Sequence, residues 1–224
     1  QAEVHYQSGQ TDRALNELLA FVRSASDARL LPEAYYLLGT IFSDRRQTRE
    51  AETYFGQVVQ NFPGSPRRSA AASQLGRLYL RQENWRGALT AFDALAETAG
   101  NDARTTADAA YGRGMALIGL GRGAEAQSAL QSVVDANPSS PDSAPAYLGL
   151  ARLQEDGGNP AEAMRLYEQA DRLSRDEAGA EALYRLGRLL RTGGQAATAV
   201  SQLSRMPTIY GGYAEWMAKG YLEQ

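Results

Sequence analysis

One spacing recurs along this chain and limits its fold more than any other feature. Gly39 is followed twelve residues later by Ala51, four after that by Phe55, and eight further on by Pro63. The same order of small, small and bulky residues returns at Ala2, Ala14 and Leu18; Gly76, Ala88 and Phe92; Gly114, Ala126 and Leu130; Ala151, Ala163 and Tyr167; and Gly187, Ala199 and Leu203. Successive first positions lie 37, 37, 38, 37 and 36 residues apart. A period this narrow is the signature of a repeat protein, in which each unit buries its apolar face against its neighbours.

Within one period the letters read as two amphipathic helices. In 32–63, Tyr35, Leu38, Gly39 and Phe42 share one face at helical spacing, and Ala51, Phe55 and Val58 share another. Small residues at the two fixed positions let paired helices approach closely, and the aromatic or leucine fills the space beside them. A bulky side chain at Ala51 or Ala88 would overpack that contact at a cost of about 1–3 kcal/mol. Turn signals fall between the helices at 8–10, 45–47, 82–84, 121–123, 156–159 and 192–194, four of them rich in glycine; glycine there suits the left-handed residue at a helix C-terminus. Between repeats, Phe62-Pro63-Gly64-Ser65-Pro66, Gly100-Asn101-Asp102 and Asn137-Pro138-Ser139-Ser140-Pro141 combine helix stops with capping residues. No run of β-branched residues alternates long enough to predict a strand. The expected fold is all-α, a right-handed α-solenoid of antiparallel helix pairs spanning 1–224 as a single array. Its repeats are placed at approximately 1–28, 32–65, 69–102, 107–140, 144–177 and 180–212, with a terminal helix at 213–224. Repeat one starts inside its first helix, and the terminal helix carries Tyr213, Trp216, Met217 and Tyr221. That helix either caps the last repeat or continues into further chain or a partner, and the second reading is favoured.

Several function classes are excluded or weakened by composition. The 224 residues carry a formal net charge of −3 and a pI near 5.4, unlike the basic stripe of a dedicated nucleic-acid binder. There is no cysteine, so disulfides, thiolate metal sites and cysteine nucleophiles are absent. No stretch approaches the roughly 18 consecutive apolar residues of a membrane span. Of the 23 basic residues only Lys219 is lysine, a bias that reads as a high-GC bacterial source. The start at Gln1 reads as a processed form or an excised fragment.

Tyr35, Leu38, Gly39, Phe42, Ala51, Phe55 and Pro63 resemble the tetratricopeptide repeat, a helix–turn–helix unit of about 34 residues. The resemblance covers essentially the whole chain. The period here is longer by close to one helical turn. Together with the Phe62–Pro66 element, that length resembles envelope-associated repeat proteins of Gram-negative bacteria, of the outer-membrane assembly lipoprotein and Tol–Pal-associated type. A periplasmic or cell-envelope location is therefore favoured over a cytoplasmic one.

Catalytic constellations are missing. His5 is the only histidine and reads as a half-buried helix residue. HExxH, P-loop and EF-hand patterns do not occur. Gly112-Arg113-Gly114 through Gly121-Arg122-Gly123 imitates a phosphate loop, but no strand precedes it, and Gly114 and Gly121 are a repeat contact and a turn. Glu155 and Asp156 sit at a helix end and read as a solvated turn. The expectation is a non-enzyme with no cofactor and no metal.

What the resemblance leaves is the concave groove, lined in such arrays by the first helix of each unit. Carrying the fifth, ninth, twelfth and thirteenth positions over nominates Tyr36, Thr40, Arg77, Arg81, Tyr111, Met115, Arg152, Tyr184, Arg188 and Arg191. Tyrosine with arginine is favoured at protein-binding hot spots, and arginine grips carboxylates with a forked geometry; the opposing reading is a solvated helix face. The lysine and asparagine with which some of these domains clamp a chaperone's terminal carboxylate are not present. The expected partner is a protein or peptide, not nucleic acid, with no direct membrane span. Self-association through terminal helices is an alternative, in which the chain is a spacer or oligomerisation module. A helical-repeat enzyme is a third.

Overall fold

The computed structural model describes residues 1–24 and 28–222, and every regular element among them is helical. The chain divides into two compact units, Gln1–Leu120 and Gly121–Gln224.

The first unit contains α1 (Ala2–Gln7), α2 (Thr11–Ser24), α3 (Leu31–Asp44), α4 (Thr48–Asn61), α5 (Arg68–Arg81), α6 (Trp85–Thr98) and α7 (Ala103–Gly119). In the second are α8 (Gly123–Ala136), α9 (Ala144–Asp156), α10 (Pro160–Leu173), α11 (Glu177–Thr192), α12 (Ala196–Leu203), α13 (Met206–Tyr210) and α14 (Ala214–Leu222). Within each unit, short turns fold consecutive helices into antiparallel pairs that stack side by side, the architecture of an α-solenoid.

The recurring letters form the contacts between paired helices. Ala14, Ala51, Ala88, Ala126, Ala163 and Ala199 are all buried, as are Phe55, Phe92, Leu130, Tyr167 and Leu203. A Cβ added at Gly39 would lie 2.7 Å from the Phe55 ring, one at Gly76 2.7 Å from the Phe92 ring, and one at Gly187 2.5 Å from Leu203. The bulky residue of the second helix therefore sits directly on the glycine of the first. Burying a side chain of that size stabilises by about 1.5–3 kcal/mol. Gly112 is a further packing position, with its backbone against the opposite edge of the Phe92 ring. The phosphate-loop look-alike thus begins mid-helix in α7, with Gly112 and Gly114 buried, and ends at the left-handed turn residue Gly121 and the start of α8.

The turns share one geometry. Gly9, Arg46, Glu83, Gly121, Gly158 and Gly194 all adopt positive φ, between 57° and 79°. After α1, α3, α5, α9 and α11 a backbone bond closes back five residues, as from Asn84 N to Tyr79 O at 2.9 Å and from Gln195 N to Leu190 O at 2.8 Å. This is the Schellman closure, which satisfies helix-end carbonyls. Two of the six turns place a non-glycine residue in the left-handed region. Entry to the next helix is capped where expected at Asp102, whose Oδ2 accepts from Thr105 N at 3.0 Å. Asn84 and Asp176 cap α6 and α11 in the same way. Ser65 instead serves the turn, accepting from Arg67 N, and α5 begins without a side-chain cap.

Candidate functional site

The nominated residues lie on the first helices of the pairs, α3, α5 and α7 in the first unit and α9 and α11 in the second. In the first unit, Tyr36 is half-buried with its ring 5.7 Å from Phe55, and the Arg67 guanidinium lies over it at 5.0 Å. Arg67 is itself held by Glu33, Nε to Oε2 at 2.5 Å. Thr40 donates its hydroxyl to the carbonyl of Tyr36 at 3.0 Å, a bond within its own helix. Arg77 bridges to the neighbouring first helix, with Nη2 2.8 Å from Asp108 Oδ1, and Ser73 donates to the other oxygen of Asp108 at 2.6 Å. Met115 and Tyr111 are half-buried on α7, and Arg81 is exposed at the end of α5.

In the second unit the arginines are built into a network. Arg152 pairs with Glu181, and Arg188 pairs with Glu155. Arg185 joins both carboxylates, 2.6 Å from Glu181 and 3.4 Å from Glu155. The hydroxyl of buried Tyr167 donates to Glu155 at 2.6 Å. These bonds tie α9, α10 and α11 together. Burial pushes the Glu155 carboxyl upward, but Tyr167 and the Arg188 and Arg185 guanidiniums outweigh it and hold it below the usual carboxylate range. Glu181 is lowered too, against its burial, by Arg152 and Arg185. Tyr167 is driven up by burial and by Glu155. Glu155 corrects the expectation of a solvated turn: its side chain is only 14% exposed and works as an ion-pair hub. Tyr184 packs against Trp216 of α14 with the rings tilted by 40° and their centres 5.8 Å apart, while Arg191 is exposed on α11. The terminal helix therefore covers the last first-helix with its tryptophan.

Glu33, Asp108 and Glu181 were not nominated, yet each receives an arginine. All three hold the second position of their repeats, six residues before Gly39, Gly114 and Gly187. An arginine at a ninth position followed by an acid at the next repeat's second position was the available signal, met by Arg77 with Asp108 and by Arg152 with Glu181. A second missed cluster is structural: buried Asp171 accepts from Tyr210 at 2.7 Å and from Arg205 at 2.9 Å. His5 meets Glu17 at 3.0 Å and no other ionisable partner among the described residues. Among the described residues no group of three or more histidines, cysteines or acids could hold a metal. No described helix is long and apolar enough to cross a membrane.

Models of the tetratricopeptide repeat match residues 1–66, 36–104, 73–141 and 111–178, and a second model of that repeat matches 181–211. The chain belongs to the tetratricopeptide repeat family. No curated protein sequence matches it. Among solved structures it is similar to PilW, described as a widely conserved type IV pilus biogenesis factor, with a TM-score of 0.70 and 17% identity over 97% of this chain and 93% of that one. Pseudomonas aeruginosa PilF gives 0.69 and 16%, over 100% and 94% of the two chains. MamA from Desulfovibrio magneticus gives 0.64 and 17%, over 84% and 99%. At these identities the likeness is one of fold, and it agrees with the tetratricopeptide assignment.

Proposed function

We propose that this tetratricopeptide protein is a non-catalytic scaffold that holds a peptide or a partner helix on the face of its first helices. Tetratricopeptide proteins generally mediate protein–protein contacts. The observation that carries the reading is the mixture of half-buried tyrosine and methionine with arginine on those helices: Tyr36, Tyr111 and Met115 beside Arg77 and Arg81 in the first unit. Rigid aromatic rings offer contact area at low entropic cost, and arginine adds directed hydrogen bonds. No covalent step is involved; a preformed face receives the partner. The likeness to a pilus biogenesis factor carries fold alone, so the partner is defined by chemistry. The resemblance of the 37-residue period and the Phe62–Pro66 element to envelope-associated repeat proteins of Gram-negative bacteria supports a cell-envelope setting. A spacer or self-assembly role through the terminal helix is disfavoured, because Trp216 is already packed on Tyr184 of the same chain.

A photoreactive phenylalanine analogue replacing Tyr36 or Tyr111, in cells of the source organism, tests the reading. Protein adducts are expected at both positions and not at Thr90 or Gln127, exposed on the second helices α6 and α8. Adducts confined to Thr90 and Gln127 would place the partner on the outer face.

A further inference from the structure

The first-helix face is not equally available in the two units. In the second, Arg152 and Arg188 already grip Glu181 and Glu155. Glu155 sits at a twelfth position and meets the ninth-position arginine of the next first-helix. This register supplies the chain's own carboxylate to its own arginine. The first unit lacks that acid: the twelfth position of α5 is Leu80, and the ninth position of α7 is Met115.

Two contacts set the register there. Ser73 and Arg77 both reach Asp108, so residues 35 apart on α5 and α7 lie side by side. Two helical turns along, the same offset puts Leu80 beside Met115, with Ile118 one turn further on α7; all three are half-buried. Arg81 follows Arg77 by four residues on the same stripe. It is exposed, and among the described residues it has no hydrogen-bond or ion-pair partner. An apolar strip thus ends at a guanidinium that no acid neutralises.

We infer that the docking surface is the α5–α7 part of the first unit, and that its occupant is a peptide segment carrying a carboxylate next to a bulky apolar side chain. The apolar side chain lies on Leu80, Met115 and Ile118, and the carboxylate accepts from the guanidinium of Arg81 as Glu155 accepts from that of Arg188 in the second unit. The second unit's network fixes α9, α10 and α11 instead of receiving ligand. This rests on the first-helix reading proposed above.

A phage-displayed library of random twelve-residue peptides, selected on the immobilised chain and rebound to variants of it, tests the inference. The variants are Arg81→Ala, Arg81→Glu, Met115→Glu and, on the second unit, Arg191→Glu, each checked by thermal unfolding. The expected consensus places Asp or Glu within one helical turn of Leu, Ile, Phe or Trp. Binding should fall about tenfold or more on the Arg81 and Met115 variants and hold on Arg191→Glu. Clones without an acidic position, or clones lost on Arg191→Glu and kept on Arg81→Glu, overturn the inference while leaving a first-helix ligand face. No enrichment, or clones indifferent to all four variants, removes both.

Discussion

At the scale of single residues, the period is a record of contacts. Gly39 with Phe55, Gly76 with Phe92 and Gly187 with Leu203 are glycine–ring or glycine–leucine approaches too close for a Cβ. Their letters can be found without a structure because the first position, opposite so large a partner, takes only glycine or, as at Ala151 opposite Tyr167, alanine. Conformation at the turns is less transparent. Arg46 and Glu83 occupy the left-handed region at φ 58° and 57°, where the other turns use glycine. The Schellman bonds around them dictate the backbone, and local preference yields to it. Glu83 is exposed, so Glu83→Gly relieves that strain without losing a contact. The substitution should stabilise the first unit by about 0.5–1 kcal/mol, the left-handed penalty less the extra chain entropy of glycine. Urea unfolding monitored by circular dichroism reads this; an unchanged or lower midpoint would contradict it.

Individual elements are held to their neighbours by two means, apolar burial and arginine–carboxylate pairs between first helices. The apolar part follows from each helical face by itself, whereas the pairs show only when one repeat is read against the next. The pairs join residues about 30 positions apart, Arg77 with Asp108 and Arg152 with Glu181, and a helical face taken by itself does not reveal which acid lies across the gap. By sequence alone, therefore, Arg152 and Arg188 look free to orient a partner's acids and Glu155 looks solvated, whereas the structure pairs them within the chain. The network carries a pH signature. Glu155 and Glu181 both titrate below the ordinary 4.5, so their stabilisation is complete above the unfolded value and is lost as pH falls through the folded one. The urea midpoint should hold from neutrality down to about pH 5 and then drop. Glu155→Gln with Glu181→Gln should start lower and lose much of that slope. Equal slopes in the two proteins would show that other carboxylates govern acid unfolding.

For the molecule as a whole, the helical-pair architecture and family membership follow from the 37-residue period. The use made of the arginines follows from side-chain geometry. Arg152, Arg185 and Arg188 of the second unit are bonded into the framework, and the proposed ligand face gives Arg81 of the first unit the opposite part, that of a group left for a partner. Arg188 is about one-third exposed and bonded to Glu155, whose side chain is 14% exposed, whereas Arg81 is exposed and without a partner among the described residues. Removing one partner of a mostly buried pair strands the other charge, here tempered by Arg185 and Tyr167, which still hold Glu155. Thermal and urea unfolding of Arg188→Ala and Arg81→Ala, side by side with the parent chain, is the most direct measurement. Arg188→Ala should cost about 1–2 kcal/mol, and Arg81→Ala should stay within about 0.5 kcal/mol of the parent. Equal losses, or a larger loss at Arg81, would contradict that contrast.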